Sequence, residues 1–344
     1  MQRITARGSA DLLDVAASRR IEQACAAQLP AHTLMRRAGT AVARLAMALV
    51  PHARAIWIAC GPGNNGGDGF EAAAHLQSRG LEARFSFVGD EAGLPADALD
   101  ALQRARAAGV HVGAEAPAHF ELAIDALLGL GATRAPTGTM AQWLQQIYGS
   151  GVPVLSVDLP SGLQADTGTQ AMDLGHGSAR HCLSLLTLKP GLFTAQGRDA
   201  AGEIWFDDLG CTPGSSEAPS GRLNAPPLAQ ARAHATHKGS YGDVAVLGGA
   251  PGMAGAALLA AGAALHGGAG RVFVALLDKA QSALSPLQPE LMFRDPDALD
   301  LGQLSVVCGC GGGSGVRKLL ARVLSSARGA AVVAGALHAI AAPR

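Results

Sequence analysis

Apolar residues follow two periods along the first 210 positions. Leu34, Met35, Ala38, Val42, Leu45 and Leu49 recur three and four residues apart, which predicts a helix face within an Ala-rich helical region over 10–49. Short apolar runs at 55–60, 83–88, 122–125, 152–157, 182–188 and 203–206 predict strands. Helical periods at 69–79, 96–108 and 140–148 separate most of the early ones. Strand alternating with helix predicts a parallel, doubly wound sheet.

Residues 212–227 break the pattern with Thr-Pro-Gly-Ser-Ser-Glu-Ala-Pro-Ser-Gly, a linker composition. A second α/β pattern follows, with strands at 243–247, 271–276, 304–308 and 330–334 and helices at 254–266 and 316–325. The expected division is therefore a domain over 1–211, a linker over 212–232 and a second domain over 233–344. A length of 344 residues suits two domains.

Charge and composition narrow the function. Lys+Arg and Asp+Glu are 27 each and no basic stripe is visible, so a nucleic-acid partner is not expected. Aromatics at 4% are too few for a base-stacking platform. The charged N-terminus has no apolar core of a secretory signal, which points to a cytoplasmic protein. Residues 252–270 carry no charge, but they are Ala/Gly-rich, and a buried helix is expected there rather than a membrane span. Six scattered cysteines with no CxxC pair argue against both a zinc site and a disulfide framework.

The chemistry concentrates in three segments. In the first, the run ending at Cys60 enters Gly61-Pro-Gly-Asn-Asn-Gly-Gly-Asp-Gly69, and this loop opens a helix. Glycines let backbone amides approach a phosphate, and the helix N-terminus adds partial positive charge. Neither turn formation nor capping demands Asn64, Asn65 and Asp68 together. In the second, Asp125 ends an apolar run and a Gly-rich turn leads to Arg134. In the third, Asp158 closes a nearly all-apolar strand and Pro160-Ser161-Gly162 turns the chain. Two carboxylates on the edge that holds a Gly/Asn loop predict a ligand site. Asn65, Asp125 and Ser161 supply hard oxygens, which suit an alkali or alkaline-earth cation rather than zinc. Lys189 is either a site group or a packing lysine.

These segments, with Leu34-Met-Arg-Arg-Ala-Gly and Thr187-Leu-Lys-Pro-Gly, resemble the NAD(P)H-hydrate epimerase family, the YjeF N-terminal domain, over about 10–210. The resemblance implies a Rossmann-like three-layer αβα sandwich that interconverts the R and S epimers of NADHX and NADPHX, cofactors hydrated on the nicotinamide ring. It implies substrate binding by Asn64, Asn65, Gly66, Gly67 and Asp68, by Gly129, Leu130, Gly131, Ala132, Thr133, Arg134 and Ala135, and by Asp158. It implies one potassium ion held by Asn65, Asp125 and Ser161. Epimerisation needs a group that gives and takes a proton near the hydroxyl. Asp158 is the first choice for it and Asp68 the second. Relatives commonly self-associate, so a homo-oligomer is expected.

The segment His237-Lys-Gly-Ser-Tyr-Gly-Asp, with Gly268-Ala-Gly-Arg-Val, Pro289-Glu-Leu-Met and Gly309-Cys-Gly-Gly-Gly, resembles the start of an ADP- or ATP-dependent NAD(P)H-hydrate dehydratase of ribokinase-like α/β fold. Where relatives carry Asp-Ala-Asp-Ala-Leu-Asn, this chain has Val333-Ala-Gly-Ala-Leu-His338, and the later Gly-Thr-Gly-Asp segment has no counterpart before Arg344. A partial second domain without dehydratase activity is the expectation. The alternatives are a working bifunctional enzyme and a non-catalytic binding module.

Overall fold

A strand covered on both faces needs apolar side chains at consecutive positions, and Ala55–Cys60 has them. Ile56, Ile58 and Cys60 enter one core while Trp57 and Ala59 enter another. The structure, a computed structural model, describes residues 1–131, 134–175, 177–211, 217–226, 231–278 and 288–341. It divides into two units, Met1–Leu228 and Ala229–Arg344.

The first unit runs β1 (Gln2–Arg3), β2 (Ala10–Leu12), α1 (Val15–Ala26), α2 (Thr33–Leu49), β3 (Ala55–Cys60), α3 (Asn64–Ser78), β4 (Glu82–Phe87), α4 (Ala96–Ala107), β5 (His111–Gly113), β6 (Leu122–Ala126), α5 (Gly138–Gly149), β7 (Val154–Val157), β8 (Arg180–Leu185), α6 (Gly197–Ala201), β9 (Glu203–Asp207) and β10 (Gly221–Leu223). Its main sheet has the order β1-β9-β8-β7-β6-β3-β4-β5, and every pair is parallel except β1 with β9. Helices α1 to α4 pack on one face, while Trp143, Leu144 and Ile147 of α5 pack on the other. That is the expected three-layer sandwich. Helices α2 and α3 cross closely because Gly39 has no side chain; a Cβ there would lie 2.3 Å from that of Glu71.

The region 10–49 is not one helical stretch. Asp14 caps α1 by accepting from the Ala17 amide, Pro30 lies in the break before α2, and Ala10–Leu12 forms a strand. Its partner is β10, which falls inside the expected linker. Strand β5 is short with an exposed face, so its sequence carries no buried pattern. The expectation of no disulfide also fails: Cys25 and Cys211 are bonded, 186 residues apart in sequence. No spacing motif could show this, because the fold alone brings the end of α1 to the segment after β9. Breaking it with Cys211→Ser should cost about 2–5 kcal/mol, since the bond closes a long loop in the unfolded chain. Thermal melts without reductant check this, with a lower midpoint expected for the variant.

The second unit runs β11 (Asp243–Gly248), α7 (Ala254–His266), β12 (Arg271–Leu276), β13 (Met292–Phe293), β14 (Ser305–Cys308), α8 (Arg317–Ser326), β15 (Gly329–Val332) and α9 (Gly335–Ala341). Its five strands, ordered β13-β12-β11-β14-β15, are all parallel. The uncharged stretch 252–270 contains α7, which packs Ala257 and Ala261 on the sheet. Among the described residues no helix is long and apolar enough to cross a membrane.

Candidate active site

In the first sheet, β3, β4 and β5 run outward on one side, while β6, β7, β8 and β9 run outward on the other. The chain therefore reverses direction between β3 and β6, and connections leaving their C-terminal ends part there and leave a crevice. A cavity of about 540 Å³ opens at this point.

The β3 connection is tight. A Cβ on Gly61 would lie 1.9 Å from the Leu127 carbonyl oxygen, so only glycine lets the turns after β3 and β6 touch. Helix α3 begins at Asn64, five residues earlier than its apolar period indicates. Gly66 and Gly67 read as loop formers on propensity. Packing reverses that: a Cβ on Gly66 would meet the Gly61 carbonyl, and one on Gly67 would meet Met35 and Ala98. Both are buried behind the cavity rather than lining it. No side chain caps this helix, and its first intrahelical amide bond is Gly67 N–H to the Gly63 carbonyl at 3.1 Å. The amides of Asn64, Asn65 and Gly66 thus have no acceptor within the helix.

Asn64, Asn65 and Asp68 line the cavity together with Gly129, Leu130, Gly131 and Asp158. Asn65 is buried, and both its amide oxygen and its amide nitrogen lack a partner among the described residues. A buried amide without hydrogen bonds is costly, so an unpaired one at a cavity wall is a group set to receive a ligand. Asp68 has its carboxyl pushed well up, first by burial and then by the Asp158 and Glu22 carboxylates.

Asp158 sits just beyond β7 with φ 66, a left-handed backbone. Its Oδ1 accepts from the Leu185 amide at 3.2 Å and from the Nζ of Lys189. Lys189 has no exposed surface; its Nζ also donates to the Leu185 carbonyl at 2.8 Å and to Ser184 Oγ at 3.4 Å. Lys189 is therefore the buried counter-ion of Asp158, which excludes a solvated lysine and places it behind the cavity wall rather than on it.

Asp125 and Ser161 are fully buried and outside the lining. The two-residue period of β6 sends Leu122, Ile124 and Ala126 to the α3 side and Asp125 to the opposite side. There Tyr148 OH donates to it at 3.1 Å. Ser161 donates to it twice, from Oγ at 2.6 Å and from its amide at 2.9 Å, and the Leu127 amide adds a bond at 3.3 Å. Burial raises the Asp125 carboxyl and these bonds oppose the rise. The three expected cation ligands converge on one turn from two sides. Leu128 donates to Ser161 Oγ at 2.9 Å, and Gly129 packs on Asn65.

The second expected binding turn is only partly in the cavity. Arg134 and Ala135 are exposed and do not line it, because the buried Pro136 packs beside Gly162 and carries the chain away. Ala132 and Thr133 lie outside the described residues. Conversely, Arg19, Glu22, His32 and Asp97 line the wall from α1 to α4 without a sequence signal. The Glu22 carboxyl is raised, by burial first and by Asp158 second. A helix surface of mixed charge carries no motif, so only the fold could find these four.

The YjeF-related protein N-terminus family matches residues 31–191. The chain is 38% identical over 204 residues to the NAD(P)H-hydrate epimerase of Bordetella pertussis (strain CS), covering 56% of this chain and 88% of that protein. It is 34% identical over 275 residues to the bifunctional NAD(P)H-hydrate repair enzyme Nnr of Escherichia coli K12, covering 78% of this chain and 53% of that one. The chain spans about half the length of the bifunctional relatives it matches.

Proposed function

The chain belongs to the NAD(P)H-hydrate epimerase family, and on that premise we propose that its first unit interconverts the R and S forms of hydrated NADH and NADPH in the cavity at the β3–β6 reversal. The observation that carries the proposal is the meeting, on one cavity wall, of an unpartnered buried amide, Asn65, with two carboxyl groups, Asp68 and Asp158.

Epimerisation at the hydrated ring carbon breaks its C–O bond and remakes it on the other face. The leaving hydroxyl must gain a proton, and the returning water must lose one. We assign this transfer to Asp68 rather than Asp158. A carboxyl raised above its ordinary range gives up its proton less readily and can take it back, and Asp68 is raised, by burial first and by the Asp158 and Glu22 carboxylates next. Asp158 is held by Lys189 and the Leu185 amide, which suits it to stabilise the cationic ring left after the hydroxyl departs. The free amides at the start of α3 and the Gly129–Gly131 turn suit the substrate's diphosphate.

Asn65, Asp125 and Ser161 would hold the potassium ion. The fit rests on the unpartnered Asn65 oxygen and on hard oxygen donors throughout. A bound ion would supply a fixed positive charge beside the Leu127–Gly129 turn. The second unit is proposed to lack dehydratase activity, because Val333–His338 carries no carboxylate where the resemblance expects two.

The test supplies R-NADHX to the purified protein with a separate S-specific dehydratase and ADP, then follows NADH by its absorbance. Recovery of all the NADHX as NADH is expected, and NADH release that stops at the S fraction initially present would defeat the proposal. ADP-dependent release of NADH from the S form without the added dehydratase would contradict the loss assigned to the second unit.

A further inference from the structure

We propose that Arg19 is a substrate-binding residue that receives a phosphate group of the nucleotide. The proposal rests on the epimerase reading for the identity of the substrate. The ionisable side chains lining the cavity are Glu22, Asp68, Asp97, Asp158, His32 and Arg19. Four of these six are carboxylic acids, and Arg19 is the only guanidinium or ammonium group among them. A substrate bearing phosphates meets repulsion from such a wall unless a cation answers it.

The position of Arg19 fits that need. It lies in α1, one helical turn before Glu22, and its Nη2 is 3.9 Å from where a Cβ on Gly131 would stand. It therefore reaches the mouth of the cavity beside the Gly129–Gly131 turn, away from the buried Lys189–Asp158 pair. Its neighbour Arg20 is paired with both carboxylate oxygens of Glu217, at 2.9 and 2.7 Å. Arg19 makes no hydrogen bond or ion pair among the described residues, and its charge lowers the Glu22 carboxyl against the larger effects of burial and Asp158. A guanidinium presents a planar fork that matches a phosphate with two parallel hydrogen bonds, and it stays charged at every working pH. An exposed arginine left unpaired over an acidic cavity is matched to an anionic ligand group and not to the reacting ring.

The substrate offers two phosphate sources, the diphosphate common to both cofactors and the 2′-phosphate of the NADP form. Calorimetric titration of the full chain with ADP-ribose and with 2′-phospho-ADP-ribose separates them. Arg19→Gln should weaken binding by about tenfold or more, and Arg19→Lys should recover part of the loss. Equal weakening of both probes identifies the diphosphate. Weakening of the 2′-phosphorylated probe alone identifies the 2′-phosphate. The thermal midpoint should not move, since the side chain is exposed. In turnover, KM should rise while kcat stays near that of the unaltered protein. Unchanged affinity of Arg19→Gln for both probes overturns the inference, as does failure of the unaltered protein to bind either probe. Arg19-dependent binding by a protein that does not epimerise NADHX would keep this inference and remove the epimerase reading.

Discussion

Replacing Asp158 with alanine should lower epimerisation by at least about a hundredfold and cost about 3–5 kcal/mol of stability. The second effect follows from Lys189. Its ammonium is fully buried, and Asp158 is its only carboxylate partner among the described residues. Removing one member of a buried pair strands the other charge in a low-dielectric site, which costs far more than the pair itself contributes. Lys189→Met should destabilise as well, leaving the Asp158 carboxylate with the Leu185 amide as its remaining donor. The double variant Asp158→Asn with Lys189→Met should regain much of the lost stability, because both charges leave together and asparagine tolerates the left-handed backbone at φ 66. It should not regain activity. Urea titration of Asp158→Asn, Lys189→Met and the double variant gives the coupling, and purely additive losses would contradict the pairing.

Asp68→Asn should reduce kcat by about 10²–10⁴-fold while the protein stays folded, since Asp68 makes no ion pair or side-chain hydrogen bond among the described residues. Its carboxyl is raised on folding, so the folded state keeps a proton that the unfolded chain releases above the ordinary value of 3.8. The unfolded state then binds fewer protons, and stability falls as pH rises toward the folded value. Asparagine removes this dependence. The variant should therefore gain stability relative to the parent at pH 8 and lose that advantage near pH 4. Denaturant midpoints at the two pH values check the sign; a variant equally or less stable at pH 8 would show that Asp68 is not held protonated.

Much of this site was legible because chemistry and backbone coincide in it. Strand 55–60 and helix 254–266 have the bounds their apolar patterns predict: β3 is covered on both faces, and Ala257 and Ala261 seat one side of α7 on its sheet. Asn65, Asp68 and Asp158 stand out in the sequence because strand ends and a Gly/Asn run mark one sheet edge, and all three line one cavity. The start of α3 was misplaced because two glycines with low helix propensity sit where only a missing Cβ allows the approach of Gly61 and Met35. The face on which Asp125 lies depends on strand parity relative to two helical layers, and a single strand does not declare which layer is which. The Cys25–Cys211 bond and the wall residues Arg19 and Glu22 come from α1, whose docking on the sheet is a long-range outcome.

The most direct measurement starts from chromatographically pure R-NADHX in water enriched in oxygen-18, incubated with the unaltered protein and with Asp68→Asn. The unaltered protein should carry the R form to an R/S mixture far faster than buffer alone, with the heavy isotope entering the hydroxyl on the hydrated carbon of both epimers, and the variant should do so at a small fraction of that rate. An R form that persists at the uncatalysed rate would contradict epimerisation by this cavity, and full activity in Asp68→Asn would remove Asp68 from the chemistry.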